Sequence, residues 1–587
     1  MTILGDPDSR HGMRLLGRTL LRYRRESTLA ILSALIWMVL VVVGPYLEKL
    51  VIDRAILPDQ PSLLLPLVGL IVLVGLFKAV GIGGRRFFGF VLSYRAETDL
   101  RNRLFEQIQR LAFSFHDRVA TGELMARAST DLSQVRLVFA MLPITVANIG
   151  LVAITVVVLI LLDPLLGVVA SLAIPTLFLL AARYARRVTR LSFDLQQRLA
   201  DLASVVEEGI SGIRVVKAFG AEAATVQRVD RAADGIFRRS MELLRIRSAN
   251  VPTFELIPAA GTLAVLWLGG YLVIEGRITL GDFVAFTQYL VLLVFPLRMT
   301  AWFFAELPRA SASASRVLQL LGTAPDVTDP DRPRPLPEGN GDIRFADVSF
   351  SYPGGPPVLG GLDLHIPAGS SLAVVGGAGS GKTTLAYLIP RFYDVTSGAT
   401  LIDGVDVRHL RLDELRREVA VVFEDTFLFS STIRENIAFG APDATDEQVR
   451  LAARLARAHE FIVALPDGYD TVVGERGYTL SGGQRQRVAL ARAVLRDPRV
   501  LILDDATSSV DAVTERQIRE ALEEVMAGRT TLIIAHRTST LALADRVALV
   551  DEGRVVAVGS HRELLETEPR YAAVLAATLE EESGVAS

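Results

Sequence analysis

Six stretches of this 587-residue chain are apolar over lengths that can cross a bilayer, and no other feature of the sequence narrows the possible folds as far. A segment in hydrocarbon must satisfy its backbone N–H and C=O groups internally, which leaves helices or a closed barrel, and runs of about 20 residues are helical lengths. The runs are 27–47, 63–84, 138–162, 165–182, 256–274 and 283–304. The first follows Arg22, Arg24 and Arg25, and no small-residue cleavage site comes after it, so it reads as a retained span rather than a signal peptide. Half the residues are hydrophobic, yet 22% are charged, so a soluble part accompanies the spans.

The connections between runs alternate in length and charge. Those after runs two and four are long and carry Arg85, Arg86, Arg95, Arg101 and Arg103, then Arg183, Arg186, Arg187 and Arg190; the other three are short and nearly free of positive charge. The positive-inside rule then predicts both termini in the cytoplasm. The long connections have helical periodicity, so the spans are expected to continue as helices beyond the membrane and to reverse near 115–124 and 215–223, where Gly122 and Gly220 interrupt them. Residues 13–26 place leucines and arginines at helical spacing, which predicts an amphipathic helix on the cytoplasmic surface ahead of span one. Lys78, Glu255, Arg298 and Glu306 lie in or at the edge of the spans; they either line a cavity or pair with each other, or they snorkel to the interface.

The balance of 62 Lys plus Arg against 65 Asp plus Glu gives a net charge of -3 and no general basic face for nucleic acid. The chain has no cysteine, which excludes disulfides, thiolate nucleophiles and cysteine-based metal sites.

Proline and aspartate replace apolar periodicity over 322–341, which reads as a linker; 342–578 is then an α/β domain with a largely parallel core sheet, and 579–587 a tail. Within that domain Gly376, Gly381, Lys382 and Thr383 fit the G-x-x-x-x-G-K-[ST] phosphate loop, with an apolar strand leading in and a helix-compatible run leading out. The chemistry requires this pattern, because Gly376, Gly377, Gly379, Ser380 and Gly381 let backbone N–H groups close on phosphates. Lys382 then reaches the terminal phosphates, while Thr383, with Thr384 beside it, supplies a hydroxyl for magnesium. Further on, the apolar run 500–504 delivers Asp504 at its end, the expected second magnesium contact.

Between these elements Leu480, Ser481, Gly482, Gly483 and Gln484 spell LSGGQ ahead of an arginine-rich helical stretch. Placed there, LSGGQ resembles the signature motif of ATP-binding-cassette (ABC) proteins. The resemblance implies roles for other residues: Tyr352 stacks on adenine, residues 474–477 touch the coupling helices, residues 508–511 form the loop ending in Asp511, and His536 is the switch histidine near the terminal phosphate. The membrane half is similar to the exporter branch, so the resemblance covers essentially the whole chain. It implies a six-span exporter-type helical domain fused to one α/β nucleotide-binding domain. ATP and Mg2+ are the implied cofactors. The working unit has two such halves, and each ATP lies between the phosphate loop of one half and the LSGGQ of the other.

Two residues depart from that family. Asp505 stands where its active sites place the Glu that polarises the attacking water, and Glu424 stands where it has the Gln that contacts magnesium and that water. An ATP site that binds but turns over slowly is therefore expected, beside an intact LSGGQ serving the opposite site. That asymmetry is the pattern of a heterodimeric exporter of amphipathic small molecules, lipids or peptides. The alternatives are a slow homodimer, an importer of a metal chelate on the same fold, and a regulatory or gating subunit. Richness in Ala, Arg and Leu points to a bacterium with a GC-rich genome and hence to its cytoplasmic membrane.

Overall fold

The computed structural model describes residues 7–474, 477, 479–505, 512–535 and 537–584. The chain divides into two compact units, Met1–Gln109 with Gly122–Thr323, and Arg110–Thr121 with Ala324–Ser587.

The first unit is helical. It comprises α1 (Pro7–Arg22), α2 (Arg24–Val51), most of α3 (Pro61–Arg110), then α5 (Thr121–Ala126), α6 (Leu132–Leu162), α7 (Pro164–Ser171), α8 (Ala173–Ser211), α9 (Ile213–Ala218), α10 (Glu222–Ile274) and α11 (Leu280–Leu321); α4 (Phe113–Arg118) belongs to the second unit. Helix α2 buries Ala30, Ala34, Met38 and Val42, a spacing of four that makes one stripe against α6 and α11. At the far end of α2 the Asp53 carboxylate accepts hydrogen bonds from Thr279 Oγ1 at 2.6 Å and the Gly281 N–H at 3.0 Å, and Lys49 pairs with Asp282 at 2.5 Å. Those contacts tie the end of span one to the start of α11, where Thr279 and Asp282 also form a capping box.

Several expectations need correction. Among the described residues five helices are long and apolar enough to cross a membrane, and the fourth run is carried by the short apolar α7 and by α8, joined through Leu172, which keeps helical backbone angles. Gly122 does not interrupt the first long connection: it lies inside α5, and the chain breaks at Leu111 and Ala112 and again at Val119 and Ala120, on either side of α4. Gly220, at φ +58°, does end the second stretch, because that left-handed turn suits a residue without Cβ. The amphipathic helix begins at Pro7, and Leu15 and Leu16 are buried as α1 packs on α11 while Leu21 is exposed. The intramembrane charges do not pair with each other among the described residues. Glu306 pairs with Arg309 at 3.1 Å, and Lys78, Glu255 and Arg298 are exposed on the single chain.

The second unit carries two sheets. Strands β1 (Ile343–Ser351), β2 (Pro357–Ile366), β4 (Ser397–Ile402) and β5 (Val405–Asp406) form an antiparallel sheet in the order β2-β1-β4-β5. The core sheet runs β10 (Arg554–Gly559), β9 (Arg546–Asp551), β3 (Ser371–Val375), β8 (Thr530–Ile534), β7 (Val500–Asp504) and β6 (Val419–Val422), parallel throughout except for β10 against β9. Strands β3 and β7 are buried at every residue, which is why they read as unbroken apolar runs. Leu372, Val374, Val500 and Ile502 face a core shared with the antiparallel sheet. Ala373, Val375, Leu501 and Leu503 face the opposite core, filled by helices that include Gly482–Leu495. Most of the stretch read as a linker packs with this unit: the Arg334 N–H donates to the His409 carbonyl at 2.7 Å, and the Gly341 N–H to Asp403 at 3.0 Å. Of the expected tail, residues 579–584 are part of a helix, Pro569–Gly584.

Candidate functional site

The phosphate loop leaves β3 at Gly376 and enters α12 (Lys382–Leu388). Gly376 has no room for a side chain, since a Cβ there would stand 2.1 Å from the Val550 carbonyl oxygen and 2.7 Å from Ser380 Oγ. Gly381, at φ +98°, makes the left-handed turn into α12. Gly377 and Gly379 lie between them with open space around their backbones. Gly376→Ala is therefore expected to displace the loop and abolish nucleotide binding, measurable by photolabelling with an azido-ATP.

Lys382 is only 6% exposed, and its Nζ donates to the carbonyls of Gly376 at 2.8 Å and Gly377 at 2.9 Å. Burial pushes its pKa below the ordinary lysine value, and the Asp504 carboxylate opposes that shift. Ser380 Oγ is buried with no hydrogen-bond partner. A buried ammonium held on loop carbonyls and an orphaned hydroxyl, in a loop that a Cβ would jam, fit a phosphate-bearing ligand with its metal. Thr383 is half-buried in the first turn of α12. Thr384 is buried, and its Oγ1 lies 2.9 Å from the Tyr352 hydroxyl. The ring of Tyr352 meets Tyr393 edge-on, with centroids 5.2 Å apart.

Asp504 and Asp505 are both buried at the end of β7. Asp505 adopts φ +46°, a left-handed conformation that aspartate tolerates better than most residues, and its N–H donates to the Ile534 carbonyl at 3.2 Å. Glu424 is exposed just beyond β6. Tyr387 on α12 has its pKa pushed up to about 12, by burial first and then by Asp504, with Glu424 a smaller contributor, so these groups surround one place.

The signature is built by helix capping. Ser481 caps the helix Gly482–Leu495: its Oγ accepts the Gln484 N–H at 3.3 Å, while Gln484 Oε1 accepts the Ser481 N–H at 2.9 Å. Leu480 and Gly483 are buried, whereas Ser481 is exposed. Among the described residues no hydrogen bond or ion pair joins 480–484 to 376–384. His536, the loop 508–511 with Asp511, and Glu475 and Arg476 of the 474–477 segment lie outside the described residues.

Sequence reasoning missed how α4 is held. Phe113 stacks on Phe392 at 4.1 Å between centroids, the Tyr393 hydroxyl donates to Asp117, and Ser114 and Arg118 both engage Asp326. The aromatics of FSFHDR (113–118) and of the segment following α12 were the available signal.

Comparison with known proteins agrees with this geometry. Residues 28–297 match the ABC transporter transmembrane region and residues 359–508 match the ABC transporter domain. An ATP-dependent lipid A-core flippase of Syntrophus aciditrophicus is 38% identical over 90% of this chain and 88% of its own length. The chain belongs to the ABC transporter family. It has the exporter architecture, for a bacterial Atm1-family ABC exporter with ATP bound superposes at a TM-score of 0.78 with 30% identity, covering 94% of this chain and 98% of that one. A multidrug efflux ATP-binding/permease protein of Mycobacterium tuberculosis is 41% identical over 94% of this chain, which spans only 46% of that relative's length. Membership gives a multi-pass membrane region followed by an ABC transporter ATP-binding domain on one chain.

Proposed function

We propose that this chain is one half of a heterodimeric exporter that moves amphipathic small molecules, lipids or peptides out across a bacterial cytoplasmic membrane, with both termini cytoplasmic. Its own site, built on Tyr352, the loop 376–384 and Asp504, binds ATP and turns it over slowly, and its LSGGQ completes a competent site on the partner.

The observation that carries this reading is Asp505. Its carboxylate is one methylene shorter than the family's Glu, and with the backbone fixed it falls roughly 1.5 Å short of the water, where an error of about 1 Å costs about a hundredfold in rate. Glu424 adds a second negative group beside the phosphates. When bound, Mg2+ would neutralise phosphate charge, held by Thr383, Asp504 and Glu424. The chain's own part is positional: Lys382 and the loop N–H groups hold the phosphates, Tyr352 lies against the base, and Ser481 with Gly483 contacts the γ-phosphate of the opposite site. The length of the mycobacterial relative, a little over twice that of this chain, supports the half-transporter reading. The names of the relatives, multidrug efflux and lipid A-core flippase, support amphipathic cargo.

Native mass spectrometry of the complex, purified from its own membranes through a tag on this chain, tests the proposal. The expected result is one tagged chain with a second half-transporter of different mass. Two copies of this chain and nothing else would overturn the heterodimer.

A further inference from the structure

Helix α4 lies in the second unit and meets it at the aromatic segment that follows α12, where Phe113 stacks on Phe392. Tyr352 touches the phosphate-loop helix through Thr384 at 2.9 Å and touches Tyr393 edge-on at 5.2 Å with the rings at 89°. Tyr393 is 6% exposed, packs also against Phe350, and directs its hydroxyl at the Asp117 carboxylate of α4. Burial and the neighbouring Asp117 both push the Tyr393 phenol well above its ordinary pKa, so it stays a donor. A neutral hydroxyl donating to a carboxylate is a charge-assisted bond, directional and stronger than a bond between neutral groups.

We propose that Tyr393 is a positioning residue that joins the base-stacking aromatic Tyr352 to α4, so that occupancy of the nucleotide site sets the position of α4 through the chain Thr384, Tyr352, Tyr393 and Asp117. The inference rests on the ATP site proposed above. Its physical logic is that Tyr352 cannot settle against a base without adjusting its edge contact with Tyr393. A buried ring moves as a unit, because close-packed interiors transmit displacement rather than absorb it. The hydroxyl then carries that displacement to Asp117. Helix α4 is also held by Asp326, through Ser114 and Arg118, so its contacts with the second unit do not depend on Asp117 alone. The route does not use Glu424, and it leaves this half able to signal nucleotide binding even where the residue that ordinarily contacts the attacking water has changed.

Because the chain has no cysteine, Ala120→Cys offers one labelling position on it, exposed just after α4. A spin label is attached there in the whole complex, with the unsubstituted complex as blank, and its spectrum is recorded with and without ATP and magnesium. ATP is expected to shift the label's population between mobile and restricted states. Tyr393→Phe, which keeps the ring, and Asp117→Asn should each diminish that shift about tenfold, the equivalent of one charge-assisted hydrogen bond. The double substitution should do no more than either alone. Azido-ATP labelling of the Asp117→Asn chain should stay at the parental level. A shift of parental size in both single variants, additive losses in the double, or no ATP-dependent shift in a parent that binds ATP would overturn the proposal. If Tyr393→Phe does not fold, the exposed Asp117→Asn decides alone. Labelling that survives Lys382→Ala would instead sink the ATP-site reading on which the inference rests.

Discussion

Lys382→Ala is expected to weaken ATP binding at this chain's phosphate loop by about a hundredfold or more, read as loss of azido-ATP labelling on this chain while its partner remains labelled. The magnitude follows from where the ammonium sits. Lys382 is buried, and among the described residues its Nζ donates to two neutral loop carbonyls. Its depressed pKa expresses the cost of keeping a charge there, and a triphosphate in the loop converts that cost into a close charge pair. Truncating one member of such a pair costs about 2–5 kcal/mol, because the remaining charge stays desolvated and unpaired. Lys382→Arg is expected not to rescue binding: the Lys382 ammonium sits on the Gly376 and Gly377 carbonyls as a point charge, whereas the donors of a guanidinium fan out instead of converging on one point. Labelling at micromolar azido-ATP in either variant would undo the phosphate-loop assignment.

The phosphate loop, the strand ending in Asp504 and the LSGGQ cap were legible because each is specified within about a dozen residues. Strands β3 and β7 are buried on both faces, so they show as uninterrupted apolar runs, and Ser481 with Gln484 is a local reciprocal cap. What the sequence hid depends on contacts between distant segments. The run 343–352 reads like the other strands but pairs in the antiparallel sheet, because β1 is bracketed by β2 and β4 through cross-strand registers that no local pattern announces. The fourth apolar run carries Pro175, which has no N–H for the Ser171 carbonyl, and the irregularity at Leu172 falls within the turn before it, but composition does not say whether such a proline kinks a helix or ends it. Gly122 reads as a breaker on propensity alone, yet it sits in the first turn of α5, where a glycine costs little. That α4 belongs with the nucleotide-binding unit rests on Phe113 meeting Phe392 and Asp117 meeting Tyr393, partners more than 270 residues apart. The local elements of the candidate site were thus readable and the packing of α4 within the second unit was not, since phosphate chemistry dictates residue spacing in a loop whereas docking of a helix only asks for complementary surfaces.

Asp505→Glu is expected to raise ATP turnover at this chain's own site by about tenfold to a hundredfold, restoring the reach that the shorter side chain lacks. The gain should fall toward the lower figure. Asp505 holds φ +46°, and a longer side chain in that left-handed conformation gives up roughly 1 kcal/mol that aspartate avoids. Turnover at the opposite site would mask the change, so the measurement belongs in a background carrying Ser481→Ala, which by the proposal disables the site completed by this chain's signature. Loss of the Ser481 cap itself costs only about 1 kcal/mol of helix stability and leaves the fold in place. In that background the ATPase of the complex is expected to be low, and to rise with Asp505→Glu. Should it stay low, Glu424→Gln is added. A rise only in the double variant assigns the defect to the extra carboxylate beside the metal, which the exposed position of Glu424 allows to be exchanged without disturbing the core. A flat response to both would remove the impairment from this chain's phosphate-loop side, and the asymmetry of the complex would then have to originate in the signature its partner presents.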